Sequence, residues 1–201
     1  MISGEGSRLG AEAAHRLALT GRFQIAPGLT DAEIDRVERE YGFEFADDHQ
    51  AFLQAGLPVN KPPERYQTWR HPWPDWRDGD PGDLRQQLSW PADGALFDVE
   101  HNAFWHPTWG PRPADMNDAR DTARRHLTHV PKMIPVYAHR YLPAGHGSYG
   151  HPVLSIYQTD IIIYGTDLDD YIDAEFSGTY WQSKDVYRIP SGLVPFWGDF
   201  L

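Results

Sequence analysis

The hydrophobic pattern is densest between residues 151 and 176. Residues 153–157 are short, apolar and partly β-branched, and residues 160–164 contain Ile161, Ile162 and Ile163 in a row. Two such runs parted by polar residues predict a pair of strands joined by a tight connection. The isoleucine run does not alternate. That predicts a central strand covered on both faces, with at least two of the three isoleucines almost fully buried. Thr166 is expected to cap a following helix whose first turn holds Asp167, Asp169 and Asp170. Leu168, Ile172 and Phe176 then fall four apart on one helical face.

The same reading applied upstream predicts a helical N-terminal third. Residues 1–6 read as frayed. Leu9, Ala13 and Leu17 repeat every four residues and predict a first helix stopped by Gly21. Thr30 followed three residues later by Glu33 is a capping box, and Ile34, Val37 and Tyr41 mark the apolar face of the helix it opens, which Gly42 ends. Phe43 and Phe45 are expected in the core. Asp47 or Asp48 should cap a third, short helix closed by Gly56.

Residues 58–91 change character: seven prolines are interspersed with Trp69, Trp73, Trp76 and Trp90. The prolines forbid a central strand, and the tryptophans argue for an ordered loop with one short helix near 83–88. In residues 95–100, Ala95, Phe97 and Val99 alternate with Leu96, Asp98 and Glu100, which predicts a half-buried strand. A second proline- and tryptophan-rich loop follows at 104–113. Asn117 is expected to cap a helix with Ala119, Ala123 and Leu127 inward. Residues 134–141 read as a strand, at an edge or strand start because of Pro135.

Composition narrows the function classes. The chain has 201 residues, enough for one domain with its own core, and a formal net charge of −11. So acidic a surface repels phosphate backbones and anionic lipid, which excludes nucleic acid and membrane as partners and favours a basic protein. No cysteine is present, so disulfides and thiolate metal sites are excluded; with no signal-peptide pattern, the expectation is a cytoplasmic protein.

The candidate chemistry is sparse. Acidic residues in a helix's first turn, such as Asp167, Asp169 and Asp170, are accounted for by the helix dipole. Ten histidines show no zincin spacing, so no metal site is assigned. There is no glycine-rich phosphate loop and no nucleophile elbow, so neither a cofactor nor a catalytic residue is assigned. One surface stands out. Asp98 and Glu100, on the solvent face of the expected strand, lie in sequence between two aromatic loops. Trp76 and Arg77 precede them, and Trp105 and Trp109 follow. Tryptophan and arginine dominate interface hot spots, and carboxylates steer a basic partner, so these six residues form the expected partner-binding face. In a competing reading the tryptophan loops bind sugar, with Asp98 and Glu100 as a glycosidase pair.

Two stretches carry a resemblance. LTDAEIDRVEREYGFEFADDHQAFLQAGLPVN, residues 29–60, resembles the N-terminal signature of the SUKH superfamily, which includes the fungal Smi/Knr cell-wall regulators and many bacterial proteins. PVLSIYQTDIIIYGTDLDDYI, residues 152–172, is similar to that family's core strand pair and helix start. WPDWRDGD, WPADGALFDVEHNAFWHPTWGPRP and IPVYAHRYLP between them resemble a bacterial branch. The resemblance implies an α+β fold without catalytic residues, in which N-terminal helices pack on a central, mostly antiparallel sheet. It divides the single domain into a helical extension at 1–28, a core at 29–176 and an aromatic tail at 177–201. It also implies an immunity protein that binds and neutralises a polymorphic toxin, often a nuclease; a regulatory scaffold is the family's other role.

Overall fold

The computed structural model describes residues 2–62, 69–177 and 193–201. The first helix, α1 (Gly4–Leu19), starts within the stretch expected to fray. Ser3 caps it by accepting from the Gly6 N–H, and the Ser3 N–H is itself held by the Asp47 carboxylate at 2.7 Å. A short strand β1 (Gln24–Ala26) follows, then α2 (Asp31–Tyr41). Here both halves of the predicted capping box form, and Gly42 ends the helix in the left-handed conformation at φ +66°. Phe43 and Phe45 are buried.

In α3 (Asp47–Ala55) the N-cap is Ala46, which makes no side-chain bond. Asp47 and Asp48 sit in the first turn, fully buried, and spend their carboxylates on distant backbone. Asp47 also accepts from the Gly147 N–H at 2.9 Å, and Asp48 from the Gly150 N–H at 2.8 Å. Helices α1 and α3 approach closely because Gly6 and Gly10 face the contact; a Cβ on Gly10 would overlap the Asp48 carbonyl. The chain then forms β2 (Leu57–Val59), paired antiparallel with β1.

Helix α4 (Pro81–His101) overturns two expectations. The short helix near 83–88 and the strand at 95–100 are one continuous helix with Pro91 inside it. A proline there cannot donate to the carbonyl four residues back, which is that of Gln87. The buried Tyr141 hydroxyl donates to the Gln87 carbonyl instead, at 3.0 Å. Helix α5 (Met116–Leu127) packs on α4 and is capped by Asp115, not Asn117; Ala119, Ala123 and Leu127 face inward as expected.

The expected strand at 134–141 is a hairpin, β3 (Met133–Tyr137) and β4 (Arg140–Pro143), which turns through Ala138 at φ +50°. With β5 (Val153–Tyr157) and β6 (Asp160–Gly165) it makes a four-stranded antiparallel sheet in chain order. Helix α6 (Leu168–Phe176) follows, capped by Asp167 where Thr166 was expected; Leu168, Ile172 and Phe176 are buried. Adjacent residues of a strand point to opposite faces, and here they enter two different cores. Ile134, Leu142 and Val153 join α1, α2, α3 and α6 on one face, while Met133, Tyr141 and Leu154 join α4, α5 and Trp197 on the other.

The fold is therefore a single-domain α+β arrangement of six helices and two antiparallel sheets among the described residues. The isoleucine expectation fails. Among the described residues β6 ends the sheet, and its residues alternate: Ile161 is 4% exposed, Ile162 46%, and Ile163 half-buried. Of the expected loop, residues 63–68 lie outside the described residues, as do 178–192 of the tail. No helix among the described residues is long and apolar enough to cross a membrane.

Candidate functional site

The six residues of the expected partner face do not share a surface. Residues two apart on a helix point about 200° away from each other, so Asp98 and Glu100 diverge once 95–100 is helical. Asp98 turns inward. Its carboxylate accepts from the Thr159 N–H at 2.8 Å, the Thr159 hydroxyl at 2.6 Å and the Asn102 amide, fastening the β5–β6 turn to α4. Glu100 lies 3.3 Å from the Arg120 guanidinium.

Trp76 is buried in one core and Trp109 in the other, on opposite faces of the sheet. Trp105 touches Trp109 and donates its indole N–H to the Gly110 carbonyl at 2.7 Å. Arg77 pairs with Glu33, from the capping box. Trp76 and Trp109 close cores, and both carboxylates are occupied by partners within the chain.

A different concave site emerges where the β1–β2 ribbon, residues 71–80 and the start of α4 meet. Local sequence dictates its shape. The chain bends through His71, Pro72 and Trp73, and all three of Pro72, Trp73 and Pro74 are buried. Asn60 grips the Trp73 backbone in both directions, at 2.7 and 2.9 Å. Asp75 then folds a turn by accepting from the Arg77 and Asp78 N–H groups. Asp80 caps α4 by accepting from the Gly82 and Asp83 N–H groups, with Pro81 at the first helical position.

The result is a cleft of about 320 Å³. Leu57, Pro58 and Val59 supply an apolar wall, Trp73 and Gln87 lie deep, and Asp75, Asp78, Asp80 and Asp83 line the acidic side. A smaller cleft of about 220 Å³ adjoins it, bounded by Trp69 and Trp90 and sharing His71, Asp83 and Gln87 with the first. His71 Nδ1 stands 3.2 Å from Asp83 Oδ2 across an exposed rim.

The electrostatics are one-sided. Among the described residues Arg77 is the only Arg or Lys in the lining of the larger cleft, and its guanidinium is already engaged. It donates to Glu33 at 2.5 Å, to the Pro27 carbonyl at 3.0 Å and to the Gly28 carbonyl at 2.9 Å. The pairing with Arg77, with the Thr30 N–H second, holds the Glu33 carboxyl down to about 2. Four carboxylates thus face a cation neutralised from behind. Gln87 is only 7% exposed; its amide nitrogen donates to the His71 carbonyl at 2.8 Å, while its Oε1 has no protein partner among the described residues.

By contrast, a larger groove of about 440 Å³ between α2, α4 and α5 carries no excess of carboxylates, and its charged groups are already engaged. Arg85 lies over Tyr41 and 3.7 Å from Glu40, and Lys132 donates to the Tyr41 and Gly42 carbonyls. Among the described residues no group of three or more histidines and carboxylates could hold a metal ion. What the acidic cleft offers chemically is acceptors at several points on an apolar base, an arrangement for an extended organic cation.

The sequence reading places Trp73 in an ordered loop but does not mark Gln87. The overlooked signal was Asp80-Pro81 as a helix cap, which would have placed Leu84, Gln87 and Pro91 on one inward stripe. Compared with protein-family models, curated proteins and solved structures, the chain matches none.

Proposed function

We propose that this chain is a non-enzymatic protein-binding module of the immunity type, which binds and neutralises a basic toxin domain, such as a nuclease, in the cytoplasm. The observation that carries the reading is the excess of 29 acidic over 18 basic residues together with where the bases go. Arg16, Arg77, Arg120 and Arg124 each pair with a carboxylate of the same chain. The surplus negative charge is left facing outward, where it accelerates encounter with a positively charged protein. The resemblance of residues 29–60 and 152–172 to the SUKH superfamily points the same way. The absence of cysteine suits a reducing compartment.

The test is co-expression with the toxin encoded beside this gene. Rescue of growth, and a complex whose association slows as salt is raised, are the expected results. A gene neighbourhood without a toxin, and no rescue of any basic toxin tried, would sink the reading.

A sugar-binding reading keeps one observation in its favour: Trp69 and Trp90 meet at 5.0 Å beside the smaller cleft. Its glycosidase form loses its basis, because Asp98 is filled by Thr159 and neither Asp98 nor Glu100 lines either cleft. Glycan-array binding abolished by Trp90→Ala would favour it over the immunity reading.

A further inference from the structure

We infer that the cleft between the β1–β2 ribbon and the start of α4 is the receptor for a single arginine side chain presented by the basic partner. The inference rests on the proposed binding function and assigns it a place. Three features of the cleft converge on that occupant.

The first is charge. Asp75, Asp78, Asp80 and Asp83 line one side, and Arg77 does not offset them because Glu33 already does. Asp75 and Asp80 each use Oδ1 on local amides, which leaves Oδ2 to receive a donor.

The second is Gln87. It is more than nine-tenths buried, lines the cleft and keeps an unpartnered Oε1. A buried acceptor without a donor is costly and calls for one. Its amide is fixed on the His71 carbonyl, so Oε1 is held in place.

The third is the wall of Leu57, Pro58 and Val59, against which the aliphatic stem of a long cation can lie. A metal ion does not fit, since among the described residues no three histidines and carboxylates converge on one point. Arginine fits better than lysine: a planar fork of five N–H groups can reach Gln87 and more than one carboxylate at once, where an ammonium is a single point.

Because the partner is unidentified, the probe is Nα-acetyl-arginine amide, titrated into the isotopically labelled full-length protein and followed by NMR. Saturable shifts of the Gln87 side-chain amide and the Trp73 indole signal are expected at millimolar ligand. The citrulline analogue keeps the shape without the charge and should bind about tenfold more weakly, as expected for losing a charged hydrogen bond. The variant Asp78→Asn with Asp83→Asn changes two exposed side chains and should weaken the arginine probe similarly while the rest of the spectrum is preserved. Shifts absent from Gln87 and Trp73, equal binding of citrulline, or indifference to the double variant would each overturn the assignment. The two readings fail separately. Toxin rescue that survives the double variant removes the cleft but leaves the proposed function; arginine binding without rescue of any basic toxin does the reverse.

Discussion

The two faces of the four-stranded sheet are covered by opposite means. On one face, α1, α3 and α6 come in close on small residues, and buried Asp47 and Asp48 bind backbone amides of the 147–150 loop. On the other, α4 and α5 stand over large side chains, and α4 is bent-prone at Pro91 with a tyrosine from the sheet completing its bonding. The first face is specified by steric fit and tolerates nothing added. The second leans more on individual polar partners and, away from the close approach of Gly94 to Gln158, should tolerate substitution in graded amounts. The difference separates two kinds of fragility, and it can be tested in order of size.

The largest effect is expected on the close face. Gly10→Ala places a methyl group on the Asp48 carbonyl and forces α1 off α3, and should cost about 3 kcal/mol or more in denaturant unfolding. A loss below about 1 kcal/mol would mean that the helices can slide apart freely. Next comes the pair of neighbours on β6. Ile161→Ala should cost about 2–4 kcal/mol, since it opens a cavity beneath α4, whereas the exposed Ile162→Ala should cost under about 1 kcal/mol. Equal losses would contradict the alternation.

A smaller effect belongs to the polar face. Tyr141→Phe should cost about 1–2 kcal/mol by leaving the Gln87 carbonyl buried and unpaired. In a Pro91→Ala background the restored N–H can take that carbonyl, so the penalty should shrink. A double-mutant cycle showing no coupling would separate the two residues.

The smallest effect at neutral pH, and a growing one in acid, comes from His49. Its complete burial lowers the imidazole from 6.5 to about 3; burial, with Arg140 nearby as a lesser cause, lowers His139 to about 4. The unfolded chain takes up these protons near 6.5 and the folded chain does not. Stability is therefore undiminished above that pH and falls as the pH drops toward 4 and below. His49→Gln should flatten the slope of melting temperature against pH between 6.5 and 4, and an unchanged slope would exonerate the residue.

The local elements were legible because their signals are local. Thr30, Glu33 and Gly42 lie within one helix and need nothing from elsewhere. Leu168, Ile172 and Phe176 kept their helical period for the same reason. Helix α4 was illegible because its inward stripe carries Gln87, Pro91 and Asp98 at positions where apolar residues would have shown the period. Each is acceptable only through a distant partner: the His71 carbonyl, the Tyr141 hydroxyl and Thr159. The same holds for the isoleucine run, whose uniform chemistry hid which face the helices cover. The acidic cleft was partly visible, in the ordered loop around Trp73. Its charge imbalance depended on Arg77 reaching Glu33, which is 44 residues away in sequence.

The arrangement around α1 also bears on synthesis. Ala13 and Leu17 share a core with Tyr171, Ile172 and Phe176, and Arg16 meets Asp169 at a sequence separation of 153. As the polypeptide emerges from the ribosome, α1 and α3 can associate early, but the last helix of that core arrives more than a hundred residues later. Contacts this distant in sequence close slowly. Until α6 emerges, that face of the sheet stays open to chaperones and proteases, so the core that α1 and α3 begin is completed only after residues 168–176 have been made.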